Sequence, residues 1–316
     1  MTRARRYFAA HPLARISAPM IAGLVLAYGV SDPAGLIMIA WNLFLMALIL
    51  TSAVGVHEFC HLLAARALHL QVDEFALAFG PELFGKTAKG IHWRINLIPV
   101  GGYVKLHGEG SSEGEGSFID APAWKKILVM VAGPLSNFAF AVVILFVLGT
   151  WLFFTADQAA GARAGFWADP TLFLRWNWNV IHTLTSVVVD SSVSAIGAYM
   201  PHASSAPMDM PLAGLPSMAS SSSRFFSLGP IMFALFAAAI NLSLGFMNLL
   251  PIPPLDGGQT VIAALRGLMG RFYPDRLVQA VTMVGLVFLI GFMLLVNGID
   301  AINHITGHIP SLYSGQ

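Results

Sequence analysis

Four long apolar runs most constrain what this chain can fold into, and they cover residues 34–63, 127–154, 228–250 and 278–296. Roughly 17–25 apolar residues form a helix long enough to cross the hydrocarbon core of a bilayer. Only 10% of the chain is charged, whereas soluble domains carry about 25% charged residues. One water-soluble core could not bury this much apolar surface. We therefore predict an all-α polytopic membrane protein with four core transmembrane helices.

A fifth apolar run, at residues 16–30, lies behind a basic N-terminal segment that begins MTRARRYFAAHP. No small-residue cleavage site follows a short apolar core, so we expect a retained segment and not a removed signal peptide. We predict an extra N-terminal span here. Because the run is short, a re-entrant or interfacial segment is the alternative.

The distribution of the 17 Lys and Arg residues indicates the orientation. If all five runs cross and the N-terminus is cytoplasmic, 14 of them lie inside, and only Arg163, Arg175 and Arg224 lie outside. Cytoplasmic loops are the ones enriched in Lys and Arg. We therefore expect a cytoplasmic N-terminus and an extracytoplasmic C-terminus. The net charge of +1 is too small to indicate nucleic-acid binding.

These boundaries divide the chain into an N-terminal segment at 1–33, a core at 34–300 and an extracytoplasmic tail at 301–316. The cytoplasmic loop 71–125 contains alternating apolar residues that predict short strands, with a turn or bulge at Gly101 and Gly102. The outer connection 155–227 has apolar residues at helical spacing over 171–198. Its tryptophans favour an amphipathic helix at the membrane interface. The stretches PHASSAPMDMP and SMASSSS beside it read as loops.

Residues 57–61 read HEFCH, which is the pattern H-E-x-x-H inside a predicted span. Positions i and i+4 share one face of a helix, so His57 and His61 can bind one Zn²⁺. Glu58 is one step on, near enough to polarise a metal-bound water but not placed as a third ligand. Ionisable side chains at membrane depth are rare and functional by default. Cys60 points to a different face and reads as a small buried hydrophobe.

A catalytic zinc needs three protein ligands and an open position, so another ligand is required. Asp256 is the candidate, because it follows the third long run in NLLPIPPLDGGQ and lies on the same side of the membrane as the histidines. The prolines force an extended path, and the two following glycines allow a tight turn. A turn or helix-capping role is the alternative for Asp256.

Four motifs together resemble the site-2 protease family of intramembrane zinc metalloproteases. They are HEFCH, the pattern from Asn248 to Gly258, LIPVGGYVKL at 97–106 and AGPLSNF at 132–138. The last two resemble the bacterial branch that cleaves membrane-anchored anti-sigma factors. The match covers most of residues 34–296.

The resemblance implies that His57, His61 and Asp256 are zinc ligands and that Glu58 is the catalytic base. It implies that Asn137 and Asn248 help to hold the substrate. It also implies that the segment with Gly101 and Gly102 is a membrane-dipping hairpin beside the site. The expected reaction is Glu-assisted attack of zinc-bound water on a peptide bond.

The resemblance places the protein in the bacterial cytoplasmic membrane, in regulated intramembrane proteolysis. Its expected substrates are single-span membrane proteins, such as an anti-sigma factor or a signal-peptide remnant. The connection 155–227 is too short for the PDZ domain, roughly 80–100 residues, that relatives in that branch usually carry. Two other classes stay open: a membrane metal transporter and a non-proteolytic membrane scaffold. A transporter should show a polar path across the bilayer, whereas the ionisable residues here lie at one depth.

Overall fold

The computed structural model describes residues 33–108, 118, 120–155, 160–198, 215–269 and 275–306. In chain order, the elements are α1 (Pro33–Ala67), β1 (Val72–Ala88), β2 (Ile91–Leu106), α2 (Ala123–Thr155), α3 (Ala160–Gly165), α4 (Thr171–Ala198), α5 (Leu215–Ser227), α6 (Pro230–Leu249), α7 (Asp256–Met269) and α8 (Asp275–Thr306). The predicted N-terminal span at 16–30, most of the acidic loop 107–117 and the end of the tail lie outside these residues.

Four helices of the described part are long and apolar enough to cross a membrane, namely α1, α2, α6 and α8. They confirm the four predicted core spans. Their ends follow local chemistry. Pro230 opens α6 at a position where its missing N–H has no helical partner anyway, and Pro251 follows the end of the same helix.

Helix α2 lies at the centre of the bundle, where it packs against α1, α4, α6 and α7. Its contact with α6 is a small apolar cluster of Ala141, Leu145, Ala238 and Leu242. Small residues at this contact let the two helices approach closely. Helix α8 differs, because most of its large apolar side chains are exposed.

The predicted helix over residues 171–198 is present as α4, and its first half packs along α2. The indole N–H of Trp176 donates to the carbonyl of Gly149 at 3.0 Å, and the Thr150 hydroxyl donates to Asn177 Oδ1 at 3.3 Å. Gly149 leaves room for this contact, since a Cβ there would lie 2.6 Å from Asn177 Oδ1. The position of α4 at the membrane interface stays a prediction.

The stretch SMASSSS was expected to be a loop, and that expectation is wrong, because it lies inside α5. Ser222 is fully buried. Its hydroxyl donates to the carbonyl of Ala219 at 2.7 Å and lies 3.2 Å from the carbonyl of Asn42 in α1. Serine favours turns when its hydroxyl bonds to main-chain groups there. A hydroxyl that bonds to a carbonyl of its own helix no longer favours a turn. Packing of small residues against α1 therefore outweighs the local preference for a loop.

Strands β1 and β2 form one antiparallel hairpin. Its turn is at Lys89 and Gly90, which have φ angles of 52° and 79° and join the paired residues Ala88 and Ile91. Two successive positive φ angles suit a tight hairpin turn. Gly101 and Gly102 do not form the turn. They lie within β2, where Gly101 has a φ of 84° at a bend in the strand. Of the predicted turn or bulge, the structure therefore has the bulge.

The hairpin is folded on itself so that residues 74–77 pair with 102–105 on one side and with 92–95 on the other. Where the hairpin doubles back, it carries exposed apolar side chains. Phe84, for example, is 71% exposed. There the Thr51 hydroxyl donates to the carbonyl of Pro99 at 2.7 Å. Thr51 is seven residues before Glu58, which is about 10 Å along the helix. The membrane-dipping position of the hairpin stays a prediction.

A buried cluster fixes the hairpin to the ends of α1 and α2. Its members are Leu62, Ala65, Leu70, Val72, Phe75, Ile91, Leu106 and Val129. Because Leu106 and Val129 belong to the same cluster, the last strand of the hairpin and α2 meet beside the H-E-x-x-H turn of α1.

Candidate metal centre

The predicted ligands His57, His61 and Asp256 lie together, with ligand atoms within 4.8 Å of one another. Asp256 Oδ2 is 2.9 Å from His57 Nε2 and 3.3 Å from His61 Nε2. The two imidazole Nε2 atoms are 3.1 Å apart. Both histidines are buried, so the three ligand atoms face one another in a site largely closed to solvent.

The two histidines project from one face of α1, as their spacing predicts. Asp256 does not lie on a loop as expected. It is the first residue of α7, where the helix dipole favours a carboxylate. Its carboxylate lies against the two histidines, and its role as a metal ligand stays a prediction.

Gly257 and Gly258 allow α7 to start directly against the extended segment before it. A Cβ on Gly257 would collide with the carbonyl of Leu249, and one on Gly258 would collide with the backbone at Pro253. Only glycine fits at such a close approach of two backbones. This approach brings Asp256 back to α1.

Helix α2 forms the back wall of the site through Val129, Gly133 and Asn137, which share one helical face. His61 Nδ1 lies 2.7 Å from the carbonyl of Val129 and donates to it. This bond leaves the lone pair of His61 on Nε2, the atom that faces Asp256. A Cβ on Gly133 would lie 2.7 Å from His57 Nε2 and collide with His61 Nε2, so the missing side chain opens the space between the ligands.

Asn137 is fully buried, and its amide lies 3.0 Å from His57 Nδ1. The Asn137 Oδ1 atom is buried without a partner when the amide nitrogen faces the ring. Turning the amide over lets Oδ1 accept the Nδ1 proton, which is the arrangement that metal-binding histidines use. It leaves the lone pair of His57 on Nε2 as well.

These bonds give a test of whether the residues fit a metal ion. With both Nδ1 atoms protonated, two imidazole lone pairs and the buried Asp256 Oδ2, which finds no donor, face one another within 3.3 Å. Three lone pairs at that distance repel, and either a proton on one imidazole or a metal cation between them relieves the repulsion. Two imidazoles and one carboxylate are a ligand set of catalytic zinc sites, so the site fits zinc.

Glu58 lies beside the ligands and turns toward the hairpin. The main-chain N–H of Val104 donates to Glu58 Oε2 at 3.0 Å. Gly102 is also adjacent, since a Cβ there would lie 3.8 Å from Glu58 Cγ. The structure therefore brings Glu58 and Gly102 together. Gly101 is turned toward the ring of Phe79 instead.

Asn248 is half-buried in the last turn of α6. Cys60 is a free, partly exposed thiol and does not belong to the ligand group. Sequence reasoning missed the Val129 carbonyl and the Val104 N–H, because main-chain groups carry no side-chain signal.

The fold and the site together define a multi-pass membrane protein with a candidate metal site of three residues inside its helical bundle. Residues 45–292 match peptidase family M50. The chain therefore belongs to peptidase family M50, the site-2 protease family, whose cofactor is zinc.

Curated relatives in several bacteria are named as zinc metalloproteases. One from Clostridium perfringens is 25% identical over 78% of this chain and 94% of its own length. One from Rickettsia conorii is 24% identical over 75% of this chain and 92% of its own length. One from Bartonella henselae is 45% identical over 33% of this chain. The chain covers only about a fifth to a third of the length of several of these curated relatives.

Proposed function

We propose that the protein is an intramembrane zinc endopeptidase that cleaves transmembrane segments of single-span membrane proteins. One observation carries this proposal: His57, His61 and Asp256 converge within a membrane-spanning helical bundle, with Glu58 one residue from a ligand. The zinc metalloprotease names of the relatives support the same activity.

His57, His61 and Asp256 would hold the zinc ion, and Glu58 would act as the base. Zinc bound in such a site lowers the pKa of water toward 7 and polarises a peptide carbonyl. Glu58 accepts the proton that the attacking water loses and passes it to the leaving amine. Val129 and Asn137 keep the two imidazoles in the tautomer that leaves Nε2 free.

A transmembrane substrate must unwind before it can be cut, since its carbonyls are bonded within its own helix. Each freed backbone group then needs a partner inside the bilayer. The strand of β2 at Gly102 lies beside Glu58 and can pair with an extended segment by strand addition. We propose Gly101 and Gly102 as part of this docking strand. Asn137 and Asn248 remain proposed substrate contacts.

We further propose a bacterial cytoplasmic-membrane location with a cytoplasmic N-terminus and an extracytoplasmic C-terminus. The substrates belong to regulated intramembrane proteolysis, such as an anti-sigma factor or a signal-peptide remnant. The distribution of Lys and Arg supports the orientation.

The test is cleavage of a fluorescent single-span substrate by the purified full chain in liposomes. Glu58→Gln should slow cleavage by about 10²- to 10⁴-fold and keep its zinc. Removal of zinc with a chelator should abolish cleavage, and added zinc should restore it. If Glu58→Gln cleaves as fast as the wild type, the proposal is wrong.

Metal analysis adds an independent check on the ligands. His57→Ala and Asp256→Ala should each lose stoichiometric zinc, because two ligands hold the ion too weakly. An Asp256→Ala protein that keeps one zinc per chain would show that the third ligand is misassigned.

A further inference from the structure

The proposed base is tied to the hairpin by one main-chain hydrogen bond. The N–H of Val104 donates to Glu58 Oε2 at 3.0 Å and joins β2 to α1 across 46 residues of sequence. A general base works well only when it is held within hydrogen-bond reach of the proton it takes. Catalytic bases are commonly oriented by a third group for this reason.

The N–H of Val104 is available to Glu58 because it points away from the neighbouring strand β1. The main-chain groups of successive residues point alternately to the two sides of a strand. His107 N–H donates to Gln71 O at 3.0 Å, so alternate residues from His107 back along the strand turn toward β1. Val104 therefore turns its N–H the other way, toward α1 and Glu58.

The strand beside Val104 is fixed from the opposite side. The hydroxyl of Tyr103 donates to Glu74, which also accepts from Arg94 Nη1 at 2.8 Å. Leu106, two residues further on, is buried in the cluster that joins the hairpin to α1 and α2. The Val104 donor thus has a defined position relative to α1.

We propose that the main-chain N–H of Val104 is the positioning group of Glu58. It holds one carboxylate oxygen and leaves the other to accept a proton from water. This inference rests on the proposed function, because it requires Glu58 to be the base. It also means that the strand expected to dock the substrate is the strand that places the base.

The test is the substitution Val104→Pro, which removes the N–H. Proline is tolerated at strand positions whose N–H makes no ladder bond. The matched control is Val104→Ala, which shortens the side chain and keeps the N–H. We expect kcat of Val104→Pro to fall about 10- to 100-fold below Val104→Ala, with KM and zinc content unchanged.

Proline at position 104 could disturb the strand, which would show as a lower zinc content of Val104→Pro. A second variant removes the N–H without introducing proline. Replacement of Val104 by α-hydroxyisovaleric acid converts its amide to an ester, which deletes the N–H and keeps the side chain. The same loss of kcat is expected.

A Glu58→Asp background separates positioning from general damage. The shorter carboxylate does not reach Val104, so removal of the N–H should cause no further loss there. The proposal is overturned if the ester variant matches Val104→Ala, or if the loss in the Glu58→Asp background equals that in the wild type. Either result leaves the proposed function standing, whereas an active Glu58→Gln protein would remove the proposed function itself.

Discussion

At the residue scale, the metal site is shaped as much by missing side chains and main-chain groups as by its ligands. Gly133 leaves open the space that His57 and His61 face. The carbonyl of Val129 and the amide of Asn137 set the imidazole tautomers. The ligands thus define which metal can bind, and these α2 groups decide whether the ligands are ready to bind it.

Gly133→Ala should therefore abolish zinc binding, because its methyl group would occupy the space between the imidazoles. Zinc per chain, measured by elemental analysis, should fall close to zero, and cleavage should be lost with it. Gly291→Ala in α8 is the matched control, since a Cβ there meets nothing within 4 Å. A zinc-loaded Gly133→Ala protein would contradict this description of the site.

Two roles are proposed for Asn137, namely orienting His57 and holding the substrate. Substitutions of Asn137 distinguish them through zinc affinity and KM. If its Oδ1 accepts from His57, Asn137→Asp keeps an acceptor and should retain zinc affinity, whereas Asn137→Leu should weaken it about 10- to 100-fold. Competition with a chelator measures this directly. A role in holding substrate predicts a different result, namely a raised KM in both variants with zinc affinity unchanged.

At the element scale, the site depends on how the segment before α7 is supported. Gly285 of α8 packs against this segment so closely that a Cβ would collide with the carbonyl of Pro253. Helix α8 also contacts α5, and most of its other apolar side chains are exposed. One contact therefore links a peripheral helix to the segment that returns Asp256 to α1.

Gly285→Ala should push α8 and this segment apart and displace Asp256. We expect lower zinc affinity and a lower melting temperature in detergent, while Gly291→Ala on the same helix should leave both unchanged. Equal values for the two variants would show that α8 does not support the site.

The stability of the hairpin should depend on the ionisation of Tyr103 at high pH. Burial and the hydrogen bond to Glu74 raise the pKa of Tyr103 to about 12 from an ordinary value of 10.0. A raised pKa stabilises the folded hairpin below the ordinary value, and this contribution is lost as the pH rises through about 12. The phenolate absorbance of the wild type minus that of Tyr103→Phe should show this late titration. A transition near 10 would contradict it.

At the scale of the whole molecule, the four spanning helices and the folded hairpin put the ligand set and the base at one end of the bundle. The hairpin turn at Lys89 and Gly90 and the end of α1 lie on the side that the Lys and Arg count assigns to the cytoplasm. The segments described between α2 and α6 are helices α3, α4 and α5 with a turn.

Orientation is tested with two reporters. A topology reporter after Gln316 should read as extracytoplasmic, and one inserted between Lys89 and Gly90 should read as cytoplasmic. A cytoplasmic signal from the first would reverse the proposed orientation. The same signal from both would mean an even number of crossings between them.

The sequence alone determined the class of fold, the four core spans and the zinc cofactor, and it singled out the residues proposed as zinc ligands. These properties follow from local patterns, namely apolar length and the spacing of His57 and His61 on one helix. The stretch in α5 was misjudged because its preference for a loop is overcome by contact with α1. Local propensity loses when tertiary packing satisfies the same groups.

Only the tertiary structure decided how Asp256 reaches the histidines, which groups set their tautomers and what holds Glu58. Each depends on contacts between segments far apart in sequence: α7 against α1, α2 against α1, and β2 against α1. Two of the decisive atoms, the Val129 carbonyl and the Val104 N–H, belong to the main chain, which every residue shares. No pattern of residue types can mark such atoms, because their role is set by where the backbone lies and not by which side chain it carries.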